Sequence, residues 1–250
     1  MRVLGVIPAR LGSTRLPNKP LQPLAGQPLV VRVYERARAS GLFADLVVAT
    51  EAPEVAAVVK RAGGRAVLTS PAHETGTERV AEAAARPEFA GMDLVANVQG
   101  DEPFLDPAAI AGSIARAAGG DDVGTCAGPL DAALAADPAR VKVVTDAAGR
   151  ALYFSRAPIP FRRDADGAAD GLYWQHVGLY VYRPEALRRW VALAPTDAER
   201  AEKLEQLRAL HHGIAIGVAR LAVPVLPGVD TPDDLHRAEA HWHATQEIPR

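Results

Sequence analysis

The sequence predicts an α/β protein of three αβα layers around a Rossmann-like, mixed but mostly parallel sheet. Three observations carry this. Short β-branched runs alternate with helix-periodic segments through the first half, Gly or Pro separates them, and 250 residues at 48% hydrophobic and 23% charged suffice to bury a full core.

The apolar run over 3–7 is stopped by Pro8 and reads as a buried first strand. Helical patterns over 29–40 and 53–62 then alternate with strands over 46–50 and 65–69. The rhythm continues with an Ala-rich helix over 78–86, a strand over 94–98 and a helix over 107–118, the crossovers that parallel strands require. Beyond this point the character changes. Strand-like runs over 141–145, 151–155 and 177–182 are separated by irregular Pro- and Arg-containing segments, which predicts a mixed sheet or small subdomain. The aperiodic stretch FRRDADGAADG over 161–171 reads as an exposed loop and a candidate lid. Leu204, Leu207 and Leu210 recur at helical spacing within a predicted helix over 197–211, and a last helix runs from 232 to about 244.

Composition excludes several classes of function. A net charge of −2 and a pI near 6.4 provide no global basic field for a nucleic-acid partner, so any anion site must be local. The single cysteine, Cys126, rules out an internal disulfide framework and reads as a small buried apolar residue. The first apolar run is too short for a signal segment, and no stretch approaches the roughly 18 to 20 apolar residues of a membrane span. A cytoplasmic protein without membrane insertion is the expectation.

Three segments carry chemistry. PARLGSTRLPNKP, directly after the first strand, brings Arg10, Arg15 and Lys19 into a loop with Gly12 and Ser13, a pattern suited to cradling a triphosphate. It matches neither GxGxxG nor GxxxxGK[ST], and three solvated surface cations would give the same spacing. LVANVQGDEPFLDP ends an apolar strand in Gln99, Gly100, Asp101 and Glu102, and Asp101 at a strand's carboxyl end suits Mg²⁺. A Gly-Asp turn capping the helix after Pro107 explains it equally well. GVDTPDDL offers Asp230 as a second acid or as part of a helix entry, with Thr231 as N-cap, Pro232 at N1 and Asp233 and Asp234 in the first turn.

The remaining candidates are weaker taken singly. In HETGTERVAEA, Gly76 and Thr77 precede a helix and could line a nucleotide, with Arg79 fixing the loop, although Thr75 or Thr77 as a cap is explanation enough. Arg156 could meet a substrate carboxylate and His176 sugar hydroxyls. Each also reads as an internally satisfied group, and Glu205 with Gln206 as the wet side of a leucine-faced helix.

In order, from residue 3 to about 238, IPAR.GSTRLP.KPL, TGTERVAE, NVQGDEP, ALYFSRAPIP, HVGLYVYR, LEQLR and GVDTPDDL resemble the CMP-Kdo synthetases, the 3-deoxy-manno-octulosonate cytidylyltransferases. The resemblance implies a nucleotide-diphospho-sugar transferase fold, CTP and the sugar acid Kdo as substrates, Mg²⁺, CMP-Kdo for lipopolysaccharide biosynthesis, and a homodimer. It implies one domain over 1–250, with a nucleotide-binding half over about 1–130, a sugar-binding and dimerisation half over about 131–225 and a metal-bearing segment over about 226–250. By this match Pro8, Ala9, Arg10, Gly12, Ser13, Arg15 and Lys19 surround the triphosphate, with Gly76, Thr77 and Arg79 near the cytidine. Arg10, Arg15, Lys19 and Asp101 are the catalytic set, and Asp101 and Asp230 the metal ligands. Gln99, Arg156, His176, Tyr180, Glu205 and Gln206 surround the sugar acid. Asn18, Val181 and Ala198 depart from the family pattern, and Val181 leaves an 8-amino analogue of Kdo or sialate open as the sugar. A non-catalytic nucleotide-binding regulator with the same fold is the reading from a different class.

Overall fold

The strand β1 (Val3–Ala9) forms because its apolar residues are almost all buried. It runs through Pro8, where the sequence pattern stops it, since a proline removes only one backbone donor and Pro8 and Ala9 still register with Ala49 and Thr50. A computed structural model describes residues 1–164 and 171–246. After β1 come β2 (Pro23–Leu24), β3 (Gln27–Pro28), α1 (Leu29–Ala39), β4 (Asp45–Thr50), α2 (Pro53–Arg61), β5 (Ala66–Leu68) and α3 (Gly76–Ala84). Next are β6 (Leu94–Asn97), α4 (Pro107–Ala118), β7 (Val123–Leu130), β8 (Lys142–Thr145), β9 (Ala151–Ser155) and β10 (Tyr173–Tyr182). The last elements are α5 (Pro184–Val191), α6 (Asp197–Glu202), α7 (Gln206–His211), β11 (Ile216–Arg220) and α8 (Pro232–Gln246). The fold is the predicted one, a mixed, mostly parallel sheet flanked by helices.

The chain divides into two compact units that interleave along the sequence. The first comprises Arg2–Met92, Asn97–Leu105 and Leu226–Arg250. Its strands β1, β4 and β5 are parallel and in register, Ile7 facing Val48 and Val48 facing Ala66. Helix α2 lays Val55, Ala56 and Val59 onto this layer, and α1 buries Leu29, Val30, Val31, Val33 and Ala37.

The second unit comprises Met1, Asp93–Ala96 and Asp106–Val225. Here β11 runs parallel to β7, while β7 with β10, β10 with β8, and β8 with β9 are antiparallel, the mixed sheet expected for the second half. Strands β7 and β11 and helix α5 lie outside the sequence expectations. β7 reads VGTCAGPL, in which two glycines and a proline dilute the strand signal, yet it is almost wholly buried between β10 and β11. Gly124 explains part of this: a Cβ there would lie 1.9 Å from the carbonyl oxygen of Ser113, so α4 seats directly on the β7 backbone.

The helix expected over 197–211 is two helices. Lys203 sits in the left-handed region at φ 53° and breaks it, while the carboxylate of Glu202 turns to accept from Ser155 Oγ at 2.6 Å and Arg156 N–H at 2.9 Å. Residues 161–164 carry neither helix nor strand, and 165–170, most of the candidate lid, lie outside the described residues. No described helix is long and apolar enough to cross a membrane.

Candidate active site

At the end of β1 the chain leaves the sheet through a tight local fold. Ser13 N–H donates to Leu11 O at 2.8 Å and Ser13 Oγ accepts from Leu16 N–H at 3.3 Å. This leaves Arg10, Gly12 and Arg15 at the surface while Leu16 is buried and Ala9 closes the strand. Nothing crowds the missing Cβ of Gly12, so its backbone is open to a ligand. Asn18, where the family pattern favours glycine, adopts φ 52° and ψ 34°, the left-handed conformation that asparagine tolerates better than most residues. It opens the 3₁₀ turn Lys19–Leu21.

Lys19 is the hub of the site. Its Nζ donates to Asp101 Oδ2 at 2.6 Å and to Asp230 Oδ1 at 2.9 Å, and Arg15 pairs with the other oxygen of Asp230 at 3.0 Å. Burial alone would depress the Lys19 ammonium, but Asp101 and then Asp230 reverse this and hold it above its usual value. Two close backbone approaches assemble the acids. A Cβ on Gly100 would sit 2.8 Å from Pro8 O, so only glycine lets this turn lie against the end of β1. Val229 N–H donates to Asp101 O at 2.8 Å, tying the segment before α8 to the turn.

The helix-entry alternative for Asp101 fails, because Asp106 takes that task and accepts from Ala108 N–H at 2.8 Å. At α8, Thr231 Oγ1 accepts from Asp234 N–H at 3.2 Å, and Asp234 Oδ2 accepts from the N–H of Thr231 at 2.9 Å and of Asp230 at 3.1 Å. Asp234 thus serves the helix entry and leaves the Asp230 carboxylate to Lys19 and Arg15.

Glu102 adjoins the pair. Burial first, then Asp101 and Asp230, push its carboxyl up to about 8 against the opposing effect of Lys19, so it adds no third negative charge near neutrality. Among the described residues no group of three or more His, Cys, Asp or Glu is arranged for a metal. Mg²⁺ needs only one or two carboxylates when phosphate oxygens and water complete its shell. Asp101 and Asp230, already converging on a single cationic centre, fit that requirement.

Around this hub, Gly76 brings its missing Cβ position to 3.4 Å from Pro8 Cγ, and Thr77 is buried in the first turn of α3. Thr75 is the cap, in a capping box with Glu78. Arg79 is 3% exposed and pairs with Glu51 Oε2 at 2.9 Å, while Glu51 Oε1 accepts from Leu11 N–H at 3.1 Å. Arg79 therefore braces the basic loop through Glu51, a residue the sequence reading missed. Its one sequence signal was an acid directly after a strand's carboxyl end. Gln99 is half-buried and its carbonyl accepts from Glu102 N–H at 3.3 Å.

The other five sugar-site candidates lie in the second unit. The Nε2 of His176 lies 2.9 Å from Thr125 Oγ1, and its ring packs edge-on to Phe154 and 5.3 Å from Tyr180. Tyr180 continues to Trp190, whose Nε1–H donates to Glu205 Oε1 at 2.9 Å, and Gln206, 5% exposed, opens α7. Arg156 is bonded elsewhere: it donates to the carbonyls of Glu202 at 2.7 Å and Pro138 at 2.8 Å. Thr125, Trp190 and Glu202 were not found from sequence, since a lone threonine, tryptophan or glutamate gives no motif.

Burial lowers the His176 pKa to about 3 from 6.5, so the imidazole is neutral. The folded state refuses a proton that the unfolded chain accepts below about 6.5. Stability is thus fully present above that value and falls towards pH 3, by up to about 1.4 kcal/mol per pH unit from this group. Urea unfolding at pH 7.5, 6 and 5 should show a steeper loss for the native sequence than for His176→Gln; identical slopes would remove this histidine as the cause.

The model of the cytidylyltransferase family matches residues 4–216. The chain belongs to the cytidylyltransferase family. Among relatives of this cytidylyltransferase, a Gemmatimonas aurantiaca protein named 3-deoxy-manno-octulosonate cytidylyltransferase is 51% identical over 245 residues, 97% of this chain and 95% of that one. A solved structure of CMP:2-keto-3-deoxy-manno-octonic acid synthetase complexed with CTP superposes with a TM-score of 0.89 at 40% identity, covering 99% of this chain and 100% of the other. The cytidylyltransferase fold therefore comes with relatives alike along almost the whole chain.

Proposed function

We propose that this chain transfers CMP from CTP to the anomeric C2 hydroxyl of Kdo, forming CMP-Kdo and releasing pyrophosphate. The observation that carries the reading is the contact of Lys19 Nζ with both Asp101 and Asp230, beside a loop that presents Arg10 and Arg15. A triphosphate brings several negative charges, which Arg10, Arg15 and Lys19 would neutralise while Glu51 holds the Leu11 N–H and the loop in place. Mg²⁺ held by Asp101 and Asp230 would polarise the α-phosphoryl group and lower the pKa of the attacking hydroxyl. Positioning of the two substrates supplies the rest of the rate, and no separate protein base is needed.

The test is CTP-dependent pyrophosphate release in the presence of Mg²⁺ with Kdo, its 8-amino analogue or sialate as acceptor. Release with Kdo and its collapse on chelation are expected. Preference for another sugar acid would replace Kdo, and CTP binding without turnover on any acceptor would favour the nucleotide-binding regulator.

A further inference from the structure

We propose that Thr125 is a positioning residue that locks His176 into its Nε2–H tautomer, so that Nδ1 accepts a hydrogen bond from a hydroxyl of the sugar acid. This rests on the sugar-acid reading above for the identity of the ligand, while the tautomer stands on the hydrogen-bond geometry and burial of the ring, whatever the ligand. β10 is irregular between Val177 and Val181 in its pairing with β7, and the fully buried Thr125 faces this irregularity. Its Oγ1 lies 2.7 Å from Leu179 O, 3.3 Å from Val177 O and 2.9 Å from His176 Nε2.

A hydroxyl has one proton, and a carbonyl oxygen only accepts. Two oxygens 2.7 Å apart repel unless a proton lies between them, so the Thr125 proton goes to Leu179 O. The contact to His176 also needs a proton, and only Nε2–H remains to supply it. Burial keeps the ring neutral, so the second nitrogen, Nδ1, is an acceptor. It makes no hydrogen bond among the described residues. An acceptor lone pair repels a carboxylate and suits a hydroxyl, which assigns His176 to the hydroxyl side of the sugar acid rather than to its carboxylate.

Long-range ¹H–¹⁵N NMR of ¹⁵N-histidine-labelled protein at pH 7 reads the tautomer, with the His176 signals assigned by their loss in His176→Gln. Protonated Nε2 and unprotonated Nδ1 are expected in the native sequence. The reverse pattern, or a doubly protonated ring, would overturn the tautomer whatever the substrate proves to be. Thr125→Val should shift the ring towards Nδ1–H and raise the KM for Kdo roughly tenfold with little change in that for CTP, the scale of one lost hydrogen bond. Thr125→Ser, which keeps the hydroxyl, should restore both. A purely structural threonine would alter stability without moving the tautomer, and an unchanged KM alongside a shifted tautomer would overturn the assignment to the sugar. Should Thr125→Val fail to fold, the native spectrum and the serine variant decide the matter.

Discussion

Asp101→Asn is expected to lower the rate of CTP-dependent pyrophosphate release by about 10³-fold, and Asp230→Asn by a similar factor. Replacing either carboxylate by an amide preserves shape and removes one negative charge from a cluster whose balance is set by charge. Lys19 would lose the partner that does most to oppose its burial when Asp101 is neutralised. On the proposed Mg²⁺ reading each variant removes one of two anionic ligands and leaves only a neutral amide oxygen there, so the Mg²⁺ concentration needed for half-maximal rate should rise in both variants. Both side chains retain solvent access, at 25% and 41% exposure, so the fold should survive and circular dichroism should be unchanged. Full turnover in either variant would remove that aspartate from the chemistry, and full turnover in both would end the metal-dependent reading.

The second large effect is on stability. Arg208 is 6% exposed and grips Glu199 with two donors, Nε at 2.8 Å and a terminal nitrogen at 2.5 Å, while its other terminal nitrogen donates to Leu193 O at 3.1 Å. This bidentate pair joins α6 to α7, and α7 carries Gln206 with Glu205 directly before it. Arg208→Met should destabilise the protein by about 3–5 kcal/mol, since the loss leaves a poorly solvated carboxylate without its partner. The melting temperature should fall by roughly 10 °C. Removing both charges in Arg208→Met/Glu199→Met should cost less than the single change, because no lone charge then remains. A single variant within about 0.5 kcal/mol of the native protein would show that water enters the pair freely.

Much of the first unit was legible because its signals are local. The βα alternation is written along the chain, and the cap of α3, left between Thr75 and Thr77 by the sequence and found at Thr75, and the entry of α8 at Thr231 and Pro232 each act within about four residues. The basic loop and both acids carried recognisable segments. Glu51 escaped notice because its bond to Leu11 spans 40 residues, and Thr125 because its bond to His176 spans 51. β7 was missed for a related reason: its glycines weaken the strand signal while letting α4 approach its backbone. The helix over 197–211 broke because Glu202 is drawn to Ser155 and Arg156, an attraction that periodicity cannot register.

By itself the sequence determined the α/β class, the family resemblance and the residue types available for handling phosphate and metal. Propensity, capping and motif order act along the chain and can be read there. Only the tertiary structure decided that Lys19 meets Asp101 across 82 residues and Asp230 across 211, that Glu102 sits uncharged beside them near neutrality, and that Thr125 holds one nitrogen of His176. Coulomb forces and desolvation depend on separation in space, and that separation exists only after Gly100 and Val229 have brought distant turns into contact.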